Sequence, residues 1–525
     1  MKKIKTSVYT IFVELKNQDT HVLLVHGYTG AIDKVTKKVA NFLKENKTFD
    51  KDNKDNNIIS TETFNKLIER GYITDKSPYE EKETVKKMAE IFHKRDKSVK
   101  NFMFLIAYDC NFRCPYCFEN EVSSNGKGWT KRVFTKELVD KAYDAFNEIE
   151  PNINLHSKKI ILYGGEPLLE KNKSIIEYIV AKGSKLGYNF MAITNGYDLD
   201  YFEELLSQDK INQLQISIDG IEEKHNNRRT HYLYGESFQK IITNIEIALK
   251  KQINVSIRIN TELNNFEDLK KIKDLFSEKG FYEYKKFSTY SALVHGEDEI
   301  NCNTVMKGTS NKIANNQNQN YDYQKDIYKQ YIDFDFEEKL FNEDVNIFHD
   351  ESINNDDSMK LMNRGKFINK YLEATKEDAS MKLISCQDFG IRQKISTALK
   401  TKKPVEFRSV FCSAQTGEVI FDPYGDLYSC WETVGNKDYK IGTYLNNVSF
   451  DEEELNNWYG RNISTTPACS KCKYAFFCGG GCQAHALSEG RGYKSPYCDG
   501  YPKLFHEVVP DAFINFESSV TKNNV

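Results

Sequence analysis

Along residues 7–25 the chain alternates apolar and polar positions: Val-Tyr-Thr-Ile-Phe-Val-Glu-Leu, a polar Lys-Asn-Gln-Asp-Thr, then His-Val-Leu-Leu-Val. Two β-rich runs around a polar turn predict a hairpin. Helical spacing follows over 31–45 and 60–70, with Ser60, Thr61 and Glu62 as a helix start, and Gly71-Tyr72-Ile73 reads as a returning strand. From Phe102 the pattern changes to strand–helix units. Strands are expected at 102–108, 159–163, 190–194, 214–218, 255–259 and 284–293, and helices at 135–148, 174–186, 236–250 and 266–279. Such alternation implies an α/β fold whose parallel sheet closes fully or partly into a barrel, with chemistry at the C-terminal ends of its strands. Residues from about 296 to 380 break the rhythm with Asn- and Asp-rich stretches. They predict a polar insertion over the active site, with helical pieces near 322–333 and 359–374.

Composition narrows the partners. The 525 residues carry a net charge of −3, so no basic field favours nucleic acid. Mean hydropathy is −0.62, and nothing approaches the ~18 uninterrupted apolar residues of a membrane span. The start, Met-Lys-Lys-Ile-Lys, is basic like a signal peptide, but Glu14 and Lys16 interrupt the apolar run and no cleavage site follows. A cytoplasmic protein is expected. The sequence holds twelve cysteines: three at 110–117, eight at 386–498, and Cys302 between them. Such clustering with short gaps suits metal ligands in a reducing compartment better than a disulfide framework.

Cys110, Cys114 and Cys117 are spaced C-x3-C-x2-C directly after the first βα-unit strand. An iron–sulfur cube otherwise takes four thiolates, so three leave one iron for a small molecule. A zinc site, which normally wants four ligands, is the alternative. With the aromatic Tyr116 before the third cysteine, the run resembles the radical S-adenosylmethionine (SAM) superfamily. The resemblance implies SAM chelating the open iron through its amino and carboxylate groups, then breaking to a 5′-deoxyadenosyl radical. It implies that Gly164, Gly165, Glu166 and Pro167, after the second strand, bind the SAM amino group. Thr194-Asn195-Gly196 ends the third strand as in many members, making Asn195 a cofactor contact. Ser217 and, twelve residues on, Arg229 would contact the SAM carboxylate or ribose, and Arg258 on the fifth strand is a further candidate.

Cys412, Gly425 and Cys430 give C-x12-G-x4-C; Cys469, Cys472, Cys478 and Cys482 give C-x2-C-x5-C-x3-C; Cys498 closes the series. This order resembles the SPASM domain of radical SAM peptide and protein maturases; a double zinc ribbon would explain the clustering but not the order. In the family pattern one auxiliary [4Fe–4S] cluster uses Cys469, Cys472, Cys478 and Cys498. A second uses Cys412, Cys430 and Cys482 plus one further ligand. Three clusters with one open iron need eleven thiolates and the motifs supply ten. Cys386 is the candidate for the eleventh, against Cys302, an open iron or an inert buried thiol. Sulfatase-maturing relatives carry an aspartate directly after the equivalent of Cys430, where this chain has Trp431 and then Glu432.

The resemblance implies three regions: a winged-helix-like precursor-peptide recognition domain at 1–98, a partial (β/α)6 TIM-like radical SAM barrel at 99–380, and a cysteine-rich SPASM domain at 381–525. The N-terminal region is read as peptide-binding rather than DNA-binding because the 60–70 helix carries few basic residues. The implied enzyme abstracts hydrogen from a precursor peptide bearing a leader sequence and forms a thioether or a carbon–carbon crosslink. A flavodoxin or ferredoxin would donate electrons, and an auxiliary cluster would take up the surplus electron. A sulfatase-maturase-like enzyme and a non-catalytic metal-binding adaptor are the alternatives.

Overall fold

A computed structural model describes residues 4–15, 18–45, 48, 59–117, 128–294 and 364–522. The expected hairpin is present: after β1 (Lys5–Thr6), β2 (Thr10–Glu14) pairs antiparallel with β3 (His21–His26). The chain then differs from expectation. Residues 32–36 form a third strand, β4 (Ile32–Thr36), and the helix occupies only Lys37–Glu45. Ile32 and Val35 are β-branched, stiff residues that suit a pleat, and they lie opposite Val25 and Val22 of β3. Helix Thr61–Glu69 starts where expected, its N-cap Ser60 Oγ accepting the Thr63 N–H at 3.2 Å. β5 (Ile73–Thr74) returns to pair with β1. Helix Pro78–Ser98, which the hydrophobic pattern did not reveal, follows with a Ser77/Glu80 capping box. Its buried stripe is narrow and partly polar (Glu81, Val85, Ala89, His93), so little periodicity was available to read.

The main sheet has eleven strands. β6 (Asn101–Leu105), β7 (Lys159–Tyr163), β8 (Asn189–Thr194), β9 (Ile211–Ile218), β10 (Asn254–Thr261), β11 (Phe287–Leu293) and β12 (Ile384–Cys386) run parallel in spatial sequence. Helices Lys136–Ile149, Lys173–Lys185, Phe238–Lys250 and Asp268–Glu278 separate them within a residue or two of their expected bounds. β13 (Glu418–Phe421) joins in parallel beside β6, and β14 (Asp426–Tyr428), β15 (Gly442–Thr443) and β16 (Ser449–Phe450) continue antiparallel. The result is a mixed sheet with no closed barrel among the described residues. The first six parallel strands are those the sequence predicted. The reading missed that residues C-terminal to them supply both flanking strands, β12 and β13.

Side chains of β8–β11 alternate between a buried face (Phe190, Leu214, Ile216, Val255, Ile257) and a half-buried one that carries Gln215, Ser217, Arg258 and Tyr290. The N-terminal region packs on the C-terminal one: Tyr9 Oη donates to the Ser470 carbonyl at 2.7 Å, and His93 Nε2 lies 2.6 Å from the Tyr459 carbonyl. Helix Arg364–Glu377 overlaps the second expected piece of the insertion; the remainder, 295–363 with Cys302, lies outside the described residues. No helix of the described residues is long and apolar enough to cross a membrane.

Candidate functional site

The chain leaves β6 through buried Ile106, Ala107 and Tyr108 and reaches Cys110. The turn after β7 is laid against this run. Gly165 N donates to the Ala107 carbonyl and Glu166 N to the Asp109 carbonyl, each at 2.9 Å. Only glycine permits that approach: a Cβ at Gly164 (φ +140°) would lie 2.4 Å from the Ala107 oxygen, and one at Gly165 2.5 Å from the Asp109 oxygen. Glu166 is thereby held 2% exposed. Its Oε1 accepts from Thr194 Oγ1 (2.6 Å) and Leu168 N (2.9 Å), and its Oε2 from Asn195 N (2.6 Å). Burial outweighs these bonds and pushes its carboxyl up to about 7. Asn195 Nδ2 donates to Asn111 Oδ1 at 2.7 Å, tying the end of β8 to the cysteine loop.

Within that loop Phe112 N donates to Cys110 Sγ at 3.3 Å and Cys117 N to the Cys114 carbonyl at 3.1 Å. Burial pushes the Cys110 and Cys114 thiols up, so deprotonation has to be driven by metal binding. Beside them stands a charged network. Arg229 Nη1 donates to Tyr116 Oη at 2.8 Å and lies 3.7 Å from Asp219 Oδ1. Asn260 Nδ2 donates to Asp219 Oδ1 (3.0 Å) and to Tyr116 Oη (3.2 Å). Arg228 bridges Asp219 and Glu262, and its guanidinium lies 4.9 Å from the Tyr116 ring centre. Sequence reasoning named Tyr116 and Arg229 but missed Asp219, Arg228, Asn260 and Glu262. The available signal was that Asp219 and Asn260 lie at the C-terminal ends of consecutive strands.

Ser217 and Arg258 are register partners on β9 and β10, and Tyr290 of β11 lies on the other side of Arg258. Arg258 stands three residues before the end of β10, deeper in the sheet than the strand's end where it was expected. Its Nε is buried and makes no hydrogen bond. Arg229 has Tyr116 and Asp219 as its partners. Three thiols, a buried carboxylate and Arg229 with an unpartnered Nε fit a cube whose fourth iron takes a ligand bearing both an amine and a carboxylate.

Cys469 and Cys472 bound a short helical turn, Cys478 ends helix Ala475–Cys478, and Cys482 opens helix Gln483–Ser488. Burial pushes the thiols of Cys430, Cys469, Cys482 and Cys498 up. Cys412, the most exposed of the seven, is still pushed up to about 11 by the protein around it, as is Cys472. Arg461, 1% exposed, lies among cysteines of both family-pattern sets. It donates to the carbonyls of Gly480 (2.8 Å), Gly481 (3.0 Å) and Ser495 (2.8 Å), and the charges acting on it are Cys469, Cys482, Cys412 and Cys478. Cys386 is not with either set. It ends β12, and the charges that act most on it are Asp388, Arg392 and Asp511. In the strand order β12, which carries it, and β13, which follows Cys412, stand on opposite sides of the six predicted strands.

Comparisons with known proteins agree with this geometry. Residues 104–276 match the model of the Radical SAM superfamily. The GTP 3',8-cyclase of Rhizobium etli (strain CIAT 652) is 30% identical over 163 residues, 30% of this chain and 42% of that protein. The chain spans about half the length of the first curated relatives it matches, 57% and 42%. Among solved structures, native anSMEcpe with bound AdoMet superimposes at a TM-score of 0.53 and 17% identity, covering 79% of this chain and 99% of that one. The same protein with AdoMet and the Cp18Cys peptide gives 0.51 and 18%, covering 80% and 99%. The likeness to the radical SAM superfamily thus lies in residues 104–276 of this chain.

Proposed function

We propose that this chain is a peptide maturase that modifies a ribosomally made precursor peptide at an unactivated C–H bond, forming a thioether or a carbon–carbon crosslink. The spacing of the seven C-terminal cysteines carries this reading, since ligands for two further clusters suit a maturase better than a single-cluster enzyme. The fold shared with anSMEcpe, which is known with AdoMet and a peptide bound, is consistent with it. When bound, SAM and its cluster supply the one-electron chemistry that removes hydrogen from substrate.

In this reading Cys110, Cys114 and Cys117 hold the first cluster and Glu166 orients the SAM ammonium. Asp219, through Tyr116 and Arg229, fixes the wall beside the cluster. Ser217 and Arg258 present polar groups to the half-buried sheet face. Residues 1–98 form the leader-binding region, where β4 is an edge strand of its sheet and an extended peptide adds by strand pairing. Residues 99–380 and 381–525 are the radical SAM and SPASM domains.

The test is anaerobic reconstitution with iron and sulfide, reduction by dithionite, and assay for 5′-deoxyadenosine. Co-expression with the short open reading frame beside its gene then reads the mass change of the peptide. Cleavage of SAM together with loss of two hydrogens from that peptide is the expected outcome. Absence of SAM cleavage would leave the metal-binding adaptor standing.

A further inference from the structure

Cys412, Cys430 and Cys482 are one thiolate short of the four that a cube takes from protein, and Cys386 is engaged elsewhere. The group beside these three thiols is Glu432. It stands two positions after Cys430, in the short turn that Cys430 opens. A Glu432 oxygen, Cys482 Sγ and a ring nitrogen of His485 all lie within 4.8 Å of one another.

We propose that Glu432 is the fourth protein ligand of the cluster held by Cys412, Cys430 and Cys482, oriented by His485. The inference rests on the two-auxiliary-cluster reading above. Local structure explains how the three groups converge. Residues Trp431–Thr433 form a single tight turn, closed by Thr433 N donating to the Cys430 carbonyl at 3.1 Å. That turn keeps Glu432 beside Cys430 while Trp431, 44% exposed, faces outward. His485 lies in the first turn of helix Gln483–Ser488, which begins directly after Cys482. Its Nε2 is 3.3 Å from Glu432 Oε2, and Tyr497 packs edge-on against the ring at 5.2 Å. The contact of His485 Nε2 with Glu432 Oε2 fixes the orientation of the carboxylate. A carboxylate carries the same charge as the thiolate it replaces, and iron accepts oxygen donors as well as sulfur. Such a ligand is more readily displaced than a thiolate, so this iron is the one a substrate cysteine would reach by exchange.

The experiment uses the full chain with Cys110, Cys114 and Cys117 all changed to Ala, so that only the auxiliary clusters contribute. After anaerobic reconstitution this parent should hold about eight irons, two cubes of four. Glu432→Ala in that background should lose up to half of the iron, or keep it with shifted g-values in the reduced EPR spectrum. Glu432→Cys should restore parental iron with a new spectrum, which separates lost ligation from a misfolded chain. An iron content and spectrum unchanged in Glu432→Ala overturn the proposal and leave the iron open. A spectrum that responds to His485→Ala but not to Glu432→Ala overturns it in favour of the imidazole. A parent holding only four irons, or none, means that the two-cluster reading itself has failed.

Discussion

The two cysteine regions surround their thiols in opposite ways. At 110–117 the loop is ringed by paired charges: Asp219 with Arg228 and Arg229, Arg228 with Glu262, and Glu166 saturated by Thr194, Leu168 and Asn195. Around 412–498 His485 pairs with Glu432, but the buried Arg461 donates, among the described residues, to the backbone carbonyls of Gly480, Gly481 and Ser495 and has thiols as its charged neighbours. A buried charge without a counter-ion is costly, so Arg461 makes sense once the thiols are ligated thiolates. A site that must admit and release a small molecule thus carries balanced, pre-oriented groups. In the proposed reading, the C-terminal site balances its charge with the ligated thiolates of its clusters.

The largest effect that can test this contrast is loss of function. Cys114→Ala should reduce 5′-deoxyadenosine formation by more than about 1,000-fold, the scale on which an essential group acts, with auxiliary iron retained. Cys478→Ala should still cleave SAM without modifying peptide. Equal loss of SAM cleavage in both would erase the distinction between the regions.

Next comes Glu166. Its carboxyl is raised from 4.5 to about 7, so its contribution to the stability of the SAM-free protein is full below the ordinary carboxylate range and lost as pH rises through about 7. Binding an ammonium needs the anion, so SAM affinity should rise over the same interval. Glu166→Gln should weaken SAM binding roughly 10- to 100-fold, the worth of a charge-assisted bond, and flatten that pH dependence. Calorimetry at several pH values reads both quantities, and an unaltered pH profile would remove Glu166 from the SAM site.

Smaller again is Arg461→Gln. Removing a cation shared by both sets should move both auxiliary potentials in the negative direction by on the order of 60 mV, a tenfold shift for one electron. Spectroelectrochemistry of the triplet-free chain measures this; a shift in one cluster only would assign Arg461 to that set alone. The smallest effect expected is at Arg258, whose change to Met should weaken SAM binding by about threefold, less than one full hydrogen bond, as read by the same calorimetry.

The six βα strands and the four long helices between them were legible because their apolar residues repeat at the right period. Both cysteine groups were legible because ligand spacing is local. What escaped detection has physical reasons. β4 is short and its edge face polar, so the same residues also fitted a helix pattern. β12 and β13 are strands of three and four residues whose parallel partners, β11 and β6, are far away in the chain. The Asp219–Asn260–Tyr116 network joins residues up to 144 apart, and no local pattern announces such a contact. The pairing of Glu432 with His485 failed to register for the same reason, although each stands within three positions of a cysteine that was named.

β13 pairs with β6 across more than three hundred residues of chain, Phe102 opposite Val419 and Phe104 opposite Phe421. Those contacts close an edge of the sheet that would otherwise carry unpaired amides and carbonyls next to wholly buried aromatic rings. Cutting the chain after the βα units would therefore uncover an aggregation-prone edge instead of releasing a self-sufficient catalytic half. The long loop to be closed also makes this pairing a slow, late step of folding. While it is pending the cysteine triplet stands at the end of a strand paired on one side only, with β7, so metal loading of the first site should wait on synthesis and docking of the last quarter of the chain.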